Sequence, residues 1–178
     1  LRGLLALYQG RNNEAHSFLT ESLEQCRALV NPPRTAVCLG NLGLCLLAQG
    51  KSKEAETVIE EGRELAETTG YKQVEAFLLY TQGYSELLNG KKREAQNLLQ
   101  QSLRLMKAIG VKESLELVLL CISQTLEEEE LVGTLRRSAL TFKAQNSSVV
   151  PAYLGAFDMA AHPEALSIEE AVELALNL

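Results

Sequence analysis

Imidazole is the side chain best suited to proton transfer near neutral pH, and this chain of 178 residues has two, His16 and His162. They lie in different parts of the sequence. His16 follows Ala15 at what should be a helix start, the place of a surface or partly packed residue rather than a general base. No Gly-rich phosphate loop, nucleophile elbow or metal-spaced cluster is present. The four cysteines, Cys26, Cys38, Cys45 and Cys121, include no C-x-x-C pair. Cys38 and Cys45 are seven residues apart, so they share a helix face without being metal-ligand neighbours. Buried free thiols in a reducing compartment are the expectation. The chain is therefore not expected to be an enzyme, nor to need a metal or a cofactor. Recognition chemistry remains: Tyr80 and Tyr84 stand one helical turn apart, with rings that can bury while their hydroxyls stay wet.

The elements that would position these residues repeat at an interval of 40. Gly3, Gly43 and Gly83 are in register, as are Gly10, Gly50 and Gly90, then Glu14, Glu54 and Glu94, then Ala15, Ala55 and Ala95. Self-similarity at such a period marks a solenoid, which makes surfaces rather than enclosed active sites. Each unit reads as two helices. In the second, Leu39, Leu42, Gly43 and Leu46 form one stripe of a 3.6-residue period. Gly50 and Gly90 then fall at the position after the helix end where a left-handed backbone is needed, and positive φ is expected at both. The second helix carries Ala55, Val58, Ile59, Gly62 and Ala66, matched by Ala95, Leu98, Leu99, Ser102 and Met106 and by Ala15, Phe18, Leu19, Ser22 and Cys26. Small residues at Gly43 and Ala55 would let the antiparallel pair approach closely, so Ala55 and Ala95 are expected to be almost fully buried. Helices are predicted at about 2–9, 12–29, 33–49, 52–68, 72–89, 92–108, 112–127 and 129–144. Asn31 serves as N-cap with proline at N1. The fourth unit keeps the periodicity but has Glu130 where the turn glycine should be and Leu135 for the alanine, as a terminal unit may. The run Glu127–Glu130 reads as a solvated helix junction.

The small residue of the first helix, the glycine seven later and the alanine five after that resemble the tetratricopeptide repeat (TPR) pattern over about residues 1–110. The units are 40 residues rather than about 34, and Arg27, Glu67 and Lys107 stand where a closing proline often does. Unit three departs further by placing Gln82 and Glu86 in its inner stripe. The longer unit resembles the TPR region of MalT-like and AfsR-like bacterial signal-transduction ATPase transcription regulators. The resemblance implies an all-α fold, a right-handed α-α superhelix of TPR-like hairpins. Units are expected at about 1–30, 31–70, 71–110 and a degenerate 111–144, followed by a helical cap at 145–178. In that cap Pro151 opens a short helix to about Ala161. Ser167-Ile-Glu-Glu170 forms a capping box that launches Ala171–Leu176. The tail resembles the C-terminal segment of such regulators. Beginning and ending inside helices, the chain reads as a piece of a larger protein.

By register, the inner helices of such an array line a groove. The candidate partner-binding residues are Tyr8, Leu44, Leu47, Phe77, Tyr80, Tyr84 and Leu87, with Leu4, Leu7, Val37, Gly40, Ala48 and Leu88 at neighbouring positions. The same side chains could instead pack against adjacent helices. The Lys, Arg and Asn residues with which carboxylate-gripping TPR domains hold a chain terminus are missing from these places, so an apolar helix or extended peptide is the expected occupant. A net charge of −6 argues against a nucleic-acid surface, and no apolar run reaches the length of a membrane span. A cytoplasmic, non-catalytic protein-interaction or sensor module of a bacterial signalling regulator is expected. The alternatives are a small-molecule effector domain and a purely structural scaffold.

Overall fold

The computed structural model of the chain describes residues 2–112, 114–146 and 165–178. The short helix expected from Pro151 to Ala161, and His162, lie outside the described residues. Among those described, helices make up the fold: α1 (Arg2–Tyr8), α2 (Asn12–Ala28), α3 (Pro32–Ala48), α4 (Ser52–Thr69), α5 (Lys72–Leu88), α6 (Lys92–Ala108), α7 (Leu115–Thr125), α8 (Glu129–Asn146) and α9 (Ile168–Leu176). Consecutive helices pack as neighbours, α3 also lies against α5, and α5 against α7. This is an all-α, TPR-like solenoid.

The turn chemistry behaves as the repeat demands. Gly50 has φ +74 and Gly90 φ +78. At each, the glycine N–H bonds back to Leu47 or Leu87, and the next residue's N–H reaches Leu46 or Glu86. That pair of bonds closes a Schellman motif and satisfies carbonyls the helix end would leave open. Asn31 caps α3, its side chain accepting from the Arg34 N–H, with proline in the first turn. At the end of α2 the same motif is built on Val30, at φ 50, in the register position of Gly70 and Gly110.

Close approach within the hairpins rests on the first-helix glycines. A Cβ on Gly43 would lie 2.6 Å from Ile59 Cγ1, and one on Gly83 would lie 2.8 Å from Leu99 Cγ. A Cβ on Gly3 would lie 2.8 Å from Leu19 Cγ. The glycine therefore receives the branched side chain one turn beyond the alanine, while Ala15, Ala55 and Ala95 are wholly buried beside it.

The fourth unit departs from expectation. Its first helix is Leu115–Thr125 rather than 112–127. Ser114 in the left-handed region and Leu126 in an extended conformation bound it. It is also the driest helix: every residue from Leu115 to Ser123 is buried. The apolar run Leu115–Cys121 is thus core. No described helix is long and apolar enough to cross a membrane.

The tail helix α9 packs on α6, α7 and α8. Its capping box is formed as predicted, with the Ser167 hydroxyl accepting from the Glu170 N–H and the Glu170 carboxylate accepting from the Ser167 N–H. Ile168, Ala171, Val172 and Ala175 are its buried face. Gln100 of α6, whose counterpart Glu60 is exposed on α4, is buried and donates to the Ala175 carbonyl at 2.9 Å. Lys112–Glu169, at 2.7 Å, and Lys107–Glu173 flank the contact.

Candidate functional site

The inner helices leave a cleft of about 530 Å³ between them. Leu4 and Tyr8 come from α1, Val37 and Asn41 from α3, Gln73, Val74, Ala76, Phe77 and Tyr80 from α5, and Val118 from α7. Met106 at the end of α6 and Ile109, Val111 and Ser114 of the following loop close one side. The residues from α3 and α5 run up to or just past the middle of their helices.

This geometry divides the candidate residues. Tyr8, Phe77 and Tyr80 are brought together in the cleft, with the neighbouring Leu4 and Val37. Leu44, Leu47 and Tyr84 are not: they are 2%, 5% and 5% exposed and belong to the hydrophobic core. Leu87 packs partly buried against that core, and Leu88 is exposed. Tyr80 and Tyr84, expected to act as a pair, are both core residues. Tyr80 is as deeply buried, 3% exposed and part of the same core, but it also borders the cleft.

Burial governs the titratable groups in the cleft and in the core. Burial, and then the Cys121 thiol nearby, push the Tyr84 hydroxyl up to about 12. Cys121 is pushed up to about 12 by burial, opposed by its hydrogen bond with Tyr80. Tyr8 is raised by burial and then by the Glu116 carboxylate, which places α7 close to the end of α1. All three therefore stay protonated at neutral pH.

Phe77 is half-buried, and its position depends on a bare backbone. A Cβ on Gly40 would lie 2.5 Å from Phe77 Cε1 and 3.0 Å from Leu78 Cδ2. Gly40 thus lines no pocket itself but sets where the aromatic ring can rest.

Asn41 is the residue that register reasoning missed. It is 7% exposed, borders the cleft, and its amide makes no side-chain hydrogen bond among the described residues. The residue is mostly covered, but its amide is not among the fully buried unpartnered groups; it reaches the open space of the cleft, where a ligand's polar group could meet it. Its signal in the sequence was a polar residue inside the apolar run from Ala36 to Ala48.

A second cleft, of about 410 Å³, opens beyond Asn41 between α1, α2 and α3. It shares Leu4, Val37 and Asn41 with the first, and adds Arg2, Arg34, Cys26 and Cys38. Three of the cysteines are buried, but Cys38 is only half-buried. No group of three or more His, Cys, Asp or Glu side chains among the described residues could hold a metal ion. His16, half-buried at the start of α2, borders neither cleft.

No curated protein and no solved structure matches this chain. Residues 1–68, which span the first unit and most of the second and carry Tyr8, Val37 and Asn41, match the family model of the tetratricopeptide repeat, which supports a TPR array here.

Proposed function

We propose that the inner cleft is a docking groove for an apolar segment of a protein partner, helical or extended. TPR repeats generally mediate protein–protein interaction and are non-catalytic. The observation that carries the proposal is the Asn41 amide, 7% exposed and without a side-chain hydrogen bond, standing in a wall of Leu4, Tyr8, Val37, Phe77 and Tyr80. An amide offers donor and acceptor together, which is what a peptide group presents. Aromatic walls supply contact area, and one satisfied polar group fixes register. The setting we read for it is a cytoplasmic bacterial signal-transduction regulator. The 40-residue unit and the capping-box tail support that setting.

Selection of a random peptide library on the chain tests this directly. Retained peptides should be apolar, and their affinity should fall at least about tenfold in Asn41→Ala, which is about 1.4 kcal/mol. Peptides that bind Asn41→Ala and Phe77→Ala as tightly as the parent would place the working surface elsewhere.

A second reading is favoured by the size of the cleft, about 530 Å³, which falls within the range of small-molecule sites. In that reading the groove takes an effector. A metabolite screen would then give saturable thermal stabilisation, lost in Phe77→Ala, and no peptide would be retained.

A further inference from the structure

Two cysteines that the sequence keeps apart meet in the second cleft. Cys26 lies near the end of α2 and Cys38 in the second turn of α3, and the loop between these helices brings their Sγ atoms to 3.6 Å. That is van der Waals contact, with no other side chain between the sulfurs. A disulfide needs about 2.05 Å, so a change of side-chain rotamer accompanied by a small helix adjustment separates the two states. Cys38 is half-buried and Cys26 is 7% exposed, so one thiol is open to a reagent and the other waits behind it. The Ser22 hydroxyl lies 3.5 Å from the Cys38 sulfur, where it can donate to a thiolate, and Arg34 lines the same cleft. Cys45 and Cys121 are placed differently: Cys45 donates to the Asn12 carbonyl, and Cys121 is fully buried in the core.

We propose that Cys26 and Cys38 are a reversible dithiol–disulfide couple that staples α2 to α3. The oxidant class is a low-molecular-weight disulfide. The Cys38 thiolate attacks one sulfur of that reagent, forming a mixed disulfide and releasing one thiolate. Cys26 gives up its proton to solvent and attacks the Cys38 sulfur, displacing the second thiolate. The protein loses two hydrogens and two electrons, and one small disulfide becomes two thiols. Burial, followed by the hydrogen bond and charge of Cys38, holds the Cys26 thiol above its usual value. Cys26 is accordingly the resolving partner, since attack rates follow the thiolate fraction. The bond would form beside Asn41, in the cleft adjoining the proposed groove. The proposal nonetheless stands whether or not that groove binds a peptide.

The test is oxidation of the folded chain with oxidised glutathione, with helicity followed by circular dichroism. Titratable thiols, counted after denaturation, should fall from four to two. The mass should drop by two hydrogens, and a non-reducing digest should join the peptide of Cys26 to that of Cys38, with dithiothreitol reversing both. Cys26→Ser should instead stop at a glutathione adduct on Cys38. A wild-type adduct that never resolves, a link to Cys45 or Cys121, or four thiols surviving while the chain stays helical would each overturn the couple. Because the digest is read on the wild type, poor folding of a serine variant cannot decide the result.

Discussion

At the scale of single residues, the backbone distinguishes positions that look alike in the repeat. Val30 holds φ 50 with its side chain 82% exposed. A left-handed conformation costs an L-residue roughly 1–2 kcal/mol, and glycine returns about 0.5–1 kcal/mol of that in unfolded-state entropy. Since no packing is lost, Val30→Gly should stabilise the chain by roughly 0.5–1 kcal/mol. A melting temperature that falls would show that the strain is not real in solution. Gly50 is the mirror case. Nothing lies within 4 Å of a Cβ built there, so Gly50→Ala should cost about 1 kcal/mol from conformation alone. Ala55 is different again, wholly buried where α3 and α4 cross. Enlarging it forces the helices apart, and Ala55→Leu should cost about 1–3 kcal/mol by overpacking. Denaturant unfolding of the three variants separates the mechanisms, since an unchanged midpoint for Ala55→Leu would mean the crossing lies elsewhere.

At the scale of the element, α9 is the most dependent helix. Nine residues are too few to hold helical structure alone in water, so its capping box and its docking on α6, α7 and α8 must supply the order. The Lys112 ammonium, hydrogen-bonded to Glu169, holds that carboxyl below its usual range. The Ser167 backbone N–H and hydroxyl do the same for Glu170. Folded values below the unfolded value of 4.5 mean that these contributions are fully present above it and are lost as pH falls through the folded values. The helix α9 should therefore loosen in acid before α3–α6 do. Site-resolved NMR titration checks this, with Lys112→Ala moving the Glu169 midpoint back towards the ordinary range. An identical midpoint in both proteins would mean that the pair does not persist in solution. The capping box was legible because serine and glutamate three apart act locally. What α9 would cover was not: Gln100 looks like any exposed outer-face residue until a helix some 70 positions later in sequence lies across it. The bounds of α7 are illegible in the sequence for a different, local reason. They are set by Ser114 and Leu126, which carry none of the glycine punctuation that placed α2–α6.

At the scale of the whole molecule, the array was readable from its period, while the working surface was only half readable. Tyr8, Phe77 and Tyr80, chosen by register, border one cleft, because helix periodicity decides which way a residue faces. Register could not say how far neighbouring helices would cover each side chain: Leu44, Leu47 and Tyr84 are buried in the core, and so is Tyr80 at the cleft's edge. Nor could it pair Cys26 with Cys38, a contact created by the turn between two helices. The split can be measured. Tyr84→Ala removes a buried ring and should cost on the order of 3–5 kcal/mol of stability, as large core truncations do. Any loss of binding would then track unfolding. Phe77→Ala removes a half-buried ring that rests against Gly40, so it should cost the fold less. An aromatic anchor at an interface costs about 2 kcal/mol or more on truncation, so selected peptides should bind Phe77→Ala roughly 30-fold more weakly. Tyr8→Ala, at the opposite wall, should act in the same sense. The measurement is peptide affinity beside urea unfolding for each variant, at a temperature where all remain folded. Affinity that falls in step with stability across Phe77, Tyr8 and Tyr84 alike would mean that these rings only hold the solenoid together and that no partner rests in the cleft.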